Sequence, residues 1–185
     1  MAASTLGTVL PFGLRQVKII PLDNTGATVP ASSLLLPASR TFSFKETEDF
    51  TTLEGDDHTV ASHGAGPVVE WDLEGGGIDL KLWKLLSGGT IVEAGTTPNQ
   101  IRTYTKLTSD ARPYFQVEGR SISDSGGDYH QVVYRCKADG DLEADQSNGD
   151  FLLTKCSGHG FGNLTDGKLY DFVQNESAVA LVAGS

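Results

Sequence analysis

The sequence predicts a mainly β fold, an antiparallel two-sheet β-sandwich or barrel with one flanking α-helix over about residues 78–87. Three observations carry this. Apolar and polar residues alternate in several short runs, the period-2 pattern of strands buried on one face. Turn-forming Gly, Asp, Asn and Ser clusters separate those runs at hairpin-like spacing. Only one stretch, beginning at Ile78, has apolar residues at helical spacing.

The elements follow in order. Residues 1–13 are small and weakly polar, end in Pro11-Phe12-Gly13, and read as an N-terminal arm. Val17, Ile19 and Ile20 mark a first strand, stopped by Pro21 and the turn-forming run Asp23 to Gly26. Phe42 and Phe44 alternate with Thr41, Ser43 and Lys45. Residues 46–66 show no dependable periodicity and hold Glu46, Glu48, Asp49, Glu54, Asp56 and Asp57 with no base among them, so a long acidic loop is expected. Val69, Trp71 and Leu73 alternate with Glu70 and Asp72, a strand with one apolar and one acidic face.

After Gly75-Gly76-Gly77, the residues Ile78, Leu82, Leu85 and Leu86 fall on one helical stripe. Asp79 stands in the first turn, where the dipole favours negative charge, and Gly88-Gly89 stops the helix. Ile78, Leu80 and Leu82 also fit a strand, but Leu85-Leu86 breaks that alternation. Five further strands are expected at 101–107, 114–122, 131–138, 151–156 and 168–174, divided by turn clusters at 123–128, 139–150 and 157–166. Residues 177–185 read as a C-terminal arm. The whole is expected to be one domain over 1–185, with the β core and its helix at 14–176.

Composition narrows the function. The chain has 185 residues, 38% hydrophobic and 21% charged, with 22 Gly, an ordinary globular balance rich in turns. A chain of this length removes enough surface from water to need neither metal nor disulfide. Its net charge of −10, from 24 acidic and 14 basic residues, repels nucleic acid and anionic membranes and argues against gripping DNA. Met1 to Leu10 has neither a basic n-region nor an apolar h-region, and no run approaches the roughly 20 apolar residues of a membrane span. Synthesis in a reducing cytoplasm is therefore expected, and Cys136 and Cys156 are too few for a disulfide framework.

No chemistry stands out. Gly158-His159-Gly160-Phe161-Gly162 lacks the Lys-Ser/Thr of a phosphate loop and has no strong helix after it, so it reads as a turn or bulge. Cys156 and His159 have ligand-like spacing, which Cys136 and His130 would complete as a zinc site. The second pair, six residues apart, lacks the short repeat of such sites, and the residues read as core cysteines and solvent histidines. No Gly-x-Ser-x-Gly occurs, and the carboxylates fall in runs that read as solvated faces. The sequons at Asn163 and Asn175 matter only in a secreted protein. The expectation is no catalytic residue, no metal, no cofactor and no enzymatic activity.

Several stretches together resemble the major tail proteins of siphophages. They are Phe50 to Asp57 (Phe-Thr-Thr-Leu-Glu-Gly-Asp-Asp), Glu70 to Leu80 (Glu-Trp-Asp-Leu-Glu-Gly-Gly-Gly-Ile-Asp-Leu) running on to Leu86-Ser87-Gly88-Gly89, and Leu169 to Glu176. The resemblance spans about residues 14–177. It implies the phage tail-tube type of fold, shared with type VI secretion tube proteins: two packed β-sheets flanked by one helix. It implies a virion protein, assembled in the host bacterial cytoplasm, whose hexameric rings stack into a tube through which double-stranded DNA passes during ejection without specific binding. The implied partners are further copies of the chain, a tape measure protein, a tail terminator and distal tail or tip proteins, with no membrane. The family's second, immunoglobulin-like domain has no expected counterpart after Glu176.

On this reading Phe50, Leu53, Glu54, Asp56 and Asp57 are candidate inter-ring contacts, with Arg112, Arg120 and Arg135 as partners. Glu70 and Asp72 are candidate channel-facing residues, an ordinary solvated outer face being the alternative. A ring of six would carry six times the subunit's negative charge, a wall that keeps DNA from sticking. Two alternatives remain: a neck or secretion-tube protein of the same fold, or a carbohydrate-binding or adhesin-like β-sandwich using Trp71, Trp83, Tyr104 and Tyr114 as stacking surfaces.

Overall fold

A computed structural model describes residues 10–124, 126–145 and 148–184, the side chain of residue 145 excepted. In chain order it contains β1 (Pro11–Pro21), a 3-10 turn (Pro30–Ser32), β2 (Leu34–Leu35), β3 (Ser39–Thr47), β4 (Phe50–Gly55), β5 (His58–Gly64) and β6 (Val68–Gly76). The helix α1 (Leu80–Ser87) precedes β7 (Thr90–Ala94), β8 (Ile101–Thr105), β9 (Phe115–Ser123) and β10 (Asp128–Lys137). β11 (Leu142–Asp145), β12 (Leu153–Phe161) and β13 (Tyr170–Asn175) complete it. The fold is mainly β, antiparallel and sandwich-like, with the one flanking helix.

One large sheet makes both layers. Its strands run β2-β1-β9-β10-β12-β6-β3, with β11 added on β12 and β13 on β10. The fold-over happens at β10, whose first half, Asp128 to Val133, pairs with β13 and whose last residues, Arg135 to Lys137, pair with β12. A register shift against β9 between Val133 and Cys136 bends the strand there. The two ends of this order approach, with Leu36 N–H donating to Val17 O of β1 at 2.8 Å and Val17 N–H to Ser39 Oγ of β3 at 3.2 Å. They do not close a barrel.

The core lies between the layers and follows the alternation. Val69, Trp71 and Leu73 point inward from β6, while Phe115 and Val117 come from β9 and Val17 and Ile19 from β1. Trp71 meets Phe115 edge-on at 5.6 Å. Burying each such side chain contributes about 1.5–3 kcal/mol. The layers come this close because β9 carries Gly119 beneath Phe42, where a Cβ would stand 2.4 Å from the ring.

In α1 the Asp79 carboxylate accepts Lys81 N–H at 2.8 Å as N-cap, and Gly88 ends the helix at φ 82°. Leu82, Leu85 and Leu86 are buried as the stripe predicts, but Ile78 precedes the helix and is exposed.

Three expectations need correction. The segment 46–66 is not a loop: β4 and β5 form a hairpin across it, closed by Asp56 and Asp57 at φ 49° and 62°. Two consecutive left-handed residues make the turn that matches strand twist, a role Asp tolerates because its short side chain bonds locally. The glycine run 158–162 is not a turn, since Gly158 to Phe161 belong to β12. A Cβ on Gly158 would meet Lys137 O at 2.0 Å, so glycine lets two backbones touch. Of the N-terminal arm, residues 1–9 lie outside the described residues, and Pro11 to Gly13 are strand, paired towards Ser123 and Ile122.

The segment 177–184 is extended and lies on the domain itself. Val179 N–H donates to Asp128 Oδ2 at 2.6 Å, Leu181 exchanges hydrogen bonds with the Gln16 amide, and Gly184 N–H donates to Ser33 Oγ at 2.8 Å. Beneath it runs a row of polar residues on the outer face of β1, β9 and β10, where Arg120 stands opposite both Gln16 and His130. Arg120 Nε donates to Asp128 Oδ2 at 2.7 Å and Asn175 Nδ2 to Oδ1 at 2.8 Å. His130 Nδ1 lies 2.8 Å from Glu118 Oε1. Its Nε2 is 3.2 Å from Asp128 Oδ2 but off the hydrogen-bond direction. Burial alone would raise the Asp128 pKa, yet the bonds from Arg120, Asn175 and Val179 outweigh it and hold the carboxyl well below the usual range.

Asp128→Ala leaves Arg120 buried without its counter-charge and is expected to cost about 3–5 kcal/mol, a melting temperature lower by roughly 6–20 °C. Because the folded pKa is depressed, the wild-type contribution is present above about pH 4 and lost as pH falls through the folded value. Thermal melts from pH 7 to pH 2 should therefore show a shallower acid loss for the variant, and parallel curves would remove Asp128 from that role.

Candidate functional site

Two surfaces hold the residues singled out from the sequence. The first is the open face of β3, β6, β11 and β12. Strand alternation turns Val69, Trp71 and Leu73 into the core and puts Glu70 and Asp72 in water, with Glu74 half-buried beside them. Register sets their neighbours: Glu70 lies between Lys45 and His159, Asp72 between Ser43 and Ser157, and Glu74 between Thr41 and Lys155. Arg40 reaches Glu74 at 3.2 Å, and His159 Nδ1 approaches Asp139 at 2.8 Å. Asp72, Glu74, Asp141 and Glu143 share one shallow depression of about 280 Å³ with Lys155. The face is thus a lattice of both signs with an acidic centre, its surface pairs each worth about 0–1 kcal/mol.

The second surface is the β4–β5 hairpin. Its two strands pair with each other and with no other strand among the described residues. Phe50, Leu53 and Val60 are 63%, 62% and 58% exposed, and Glu54, Asp56 and Asp57 are exposed as well. Alternation places Phe50 and Leu53 on opposite faces, so neither face of the ribbon rests on the domain. Ala65 N–H to Asp49 O at 2.8 Å fastens its base. A lone two-stranded ribbon is at best marginally stable in water, and large apolar side chains on both faces add to that cost.

The arginines expected to face this hairpin are engaged within the chain. Arg120 is buried on Asp128 and is unavailable. Arg112 donates to the carbonyls of Ala138 and Gly140, and the Arg135 guanidinium lies 4.3 Å over the Tyr114 ring. The aromatic residues weighed as a binding surface also have structural roles. Trp71 is buried, the Trp83 indole donates to Thr154, and Tyr104 donates to Gly88 O at 2.7 Å. Elsewhere, Phe172 stacks on Phe44 at 5.6 Å and on Tyr129 at 5.5 Å, with Tyr170 beside them. The Tyr-x-Phe alternation of β13 was the available signal for this cluster, of which Phe172 is exposed and the other three half-buried.

The zinc set is not brought together. Cys156 is buried and His159, three residues on, lies on the other face of β12, while His130 is buried against Glu118, not in solvent. Among the described residues no three His, Cys, Asp or Glu side chains form a group able to hold a metal. Burial pushes the Cys156 thiol up to about 12 and the Cys136 thiol higher still, so both stay protonated and unreactive at neutral pH.

Comparison with models of known protein families gives no match, and comparison with curated proteins gives none either.

Both thiols should resist a disulfide reagent at pH 8 in the native protein and react together on denaturation. A fast-reacting thiol in the folded chain would contradict their burial.

Proposed function

We propose that this chain is a structural subunit of a phage tail tube, a non-enzymatic virion protein that works as stacked rings rather than alone. One observation carries the reading: a hairpin exposes three large apolar side chains and a cluster of carboxylates on a ribbon that the domain itself does not support. Such a ribbon gains stability when a neighbour covers it, and covering it on assembly is what a stacked ring requires. The sandwich with one flanking helix is the architecture that the resemblance to siphophage major tail proteins implies, although a fold alone does not assign a function.

On this reading the rings are hexameric and assemble in the host bacterial cytoplasm on a tape measure protein, between a terminator and the distal tail proteins. The DNA passes without specific binding. The acidic centre of the open sheet face, with Glu70 and Asp72 in water, suits a wall along which phosphates slide. A second reading, a binding module, draws on the exposed Phe172 and the half-buried Phe44, Tyr129 and Tyr170 around it. Replacing Phe172 with Ala would abolish ligand capture by such a module.

Negative-stain microscopy of concentrated protein is expected to show rings or tubes. Shortening residues 50–64 to a Gly-Ser linker should leave a folded monomer that forms no long tubes; normal tubes from this variant would eliminate the hairpin's role. In a phage carrying Glu70→Lys and Asp72→Lys, tubes should form while DNA ejection slows, more so at low salt, because cations on the wall attract phosphate. Ejection at the wild-type rate would place these two residues on the outer surface.

A further inference from the structure

At the end of the domain opposite the hairpin lies a groove of about 590 Å³. Val29, Leu34, Leu85 and Pro113 give it an apolar floor, and Lys81 and Lys84, one helical turn apart on the exposed side of α1, stand beside it. Neither lysine makes an ion pair among the described residues. The hairpin offers the complementary chemistry: Phe50, Leu53 and Val60 exposed, with Asp49, Glu54, Asp56 and Asp57 also free of ion pairs.

Topology decides whether one chain can satisfy both. The hairpin leaves the Thr47 end of β3 and returns into the Val68 end of β6. The other ends of the same two strands, Ser39 and Gly76, lead to the Leu34–Leu36 segment and to α1, which line the groove. Nine residues of β3 separate the two surfaces, about 26 Å at about 3.3 Å per step, so the hairpin does not reach its own groove.

We infer that the groove between α1 and the Val29–Leu34 segment receives the β4–β5 hairpin of a second copy of this chain, one face of the ribbon with its apolar side chain on the floor and carboxylates against Lys81 and Lys84. Complementary surfaces at opposite ends of one molecule make a head-to-tail contact that does not close on itself but propagates as a stack. This inference rests on the tube reading and adds to it the receiving surface, in the place left open by Arg112, Arg120 and Arg135. Desolvated charge pairs at such a junction select the partner and its register more than they add affinity.

The test is a charge swap on the full chain, with folding of each variant checked by its melting temperature. Lys81→Glu with Lys84→Glu, and separately Asp49→Lys with Glu54→Lys, should each raise the concentration needed for tube formation by at least about tenfold, because like charges then meet. All four changes in one chain should restore assembly. Wild-type tubes made from mixed light and heavy isotope-labelled chains and treated with a zero-length carbodiimide should yield cross-links from Lys81 or Lys84 to hairpin carboxylates of the other copy. That measurement needs no variant to fold. Tubes from the lysine variant at the wild-type concentration, failure of the four-fold variant to assemble, or cross-links from these lysines to another surface would overturn the groove as receptor while leaving the tube reading intact. A wild-type chain that stays monomeric at every concentration would overturn both.

Discussion

Taking a carboxylate out of water costs several kcal/mol unless other charges and donors replace the water, and Asp128 is wholly buried. That requirement organises one side of the molecule. Arg120 from β9, Asn175 at the end of β13 and the backbone of Val179 converge on its two oxygens, and Gln16 from β1 joins through Arg120. Four strands and the C-terminal segment are thus held in register by one group. The segment from Val179 to Gly184 is fastened by the buried Leu181 side chain and by its hydrogen bonds to Asp128, Gln16 and Ser33. It also shields the node from water, which in turn strengthens each bond inside it.

The other side of the molecule is organised by shape. Because β10 serves β13 with its first half and β12 with its end, a single sheet supplies both layers, and small residues set how close they come. Gly119 admits Phe42, and Gly158 admits the backbone of Lys137 beside Trp71. Overpacking such a site typically costs about 1–3 kcal/mol. The buried core cluster therefore draws on none of β4, β5, β7 or β8; the β7–β8 ribbon is tied to α1 through Tyr104, which packs on Trp83 and donates to Gly88 O, whereas the β4–β5 ribbon pairs only with itself among the described residues.

Much of this was legible from residue order alone. Alternation at 69–73 gave the inward Trp71 and outward Glu70 and Asp72, since side chains on a strand must alternate whatever the strand packs against. The stripe of Leu82, Leu85 and Leu86 with Gly88-Gly89 after it located α1, because helix period acts within a few residues. The helix starts two residues later than the expected Ile78, and Asp79 proves to be the N-cap and not part of the first turn. The hairpin at 50–64 escaped the pattern because both of its faces are exposed, so no apolar face exists to betray the period. Its turn also uses Asp-Asp where Asn-Gly or Asp-Gly is the stronger signal.

What the tertiary structure decided are contacts between residues far apart in the chain. Gln16 meets Leu181 across 165 positions, and Arg120, legible only as a basic residue, proves to be the buried partner of Asp128. His130 joins that node for the same reason, and Gly158 and Gly160 enter a strand where composition alone suggested a turn. Local periodicity records which way a side chain points, but the identity of its partner depends on how the sheet folds over at β10. Sequence by itself determined the half-buried strands, the body of the helix and the acidic outward face of β6; only the fold determined the ribbons exposed on both faces, which charges are buried, which glycines are spacers and which surfaces stand at opposite ends.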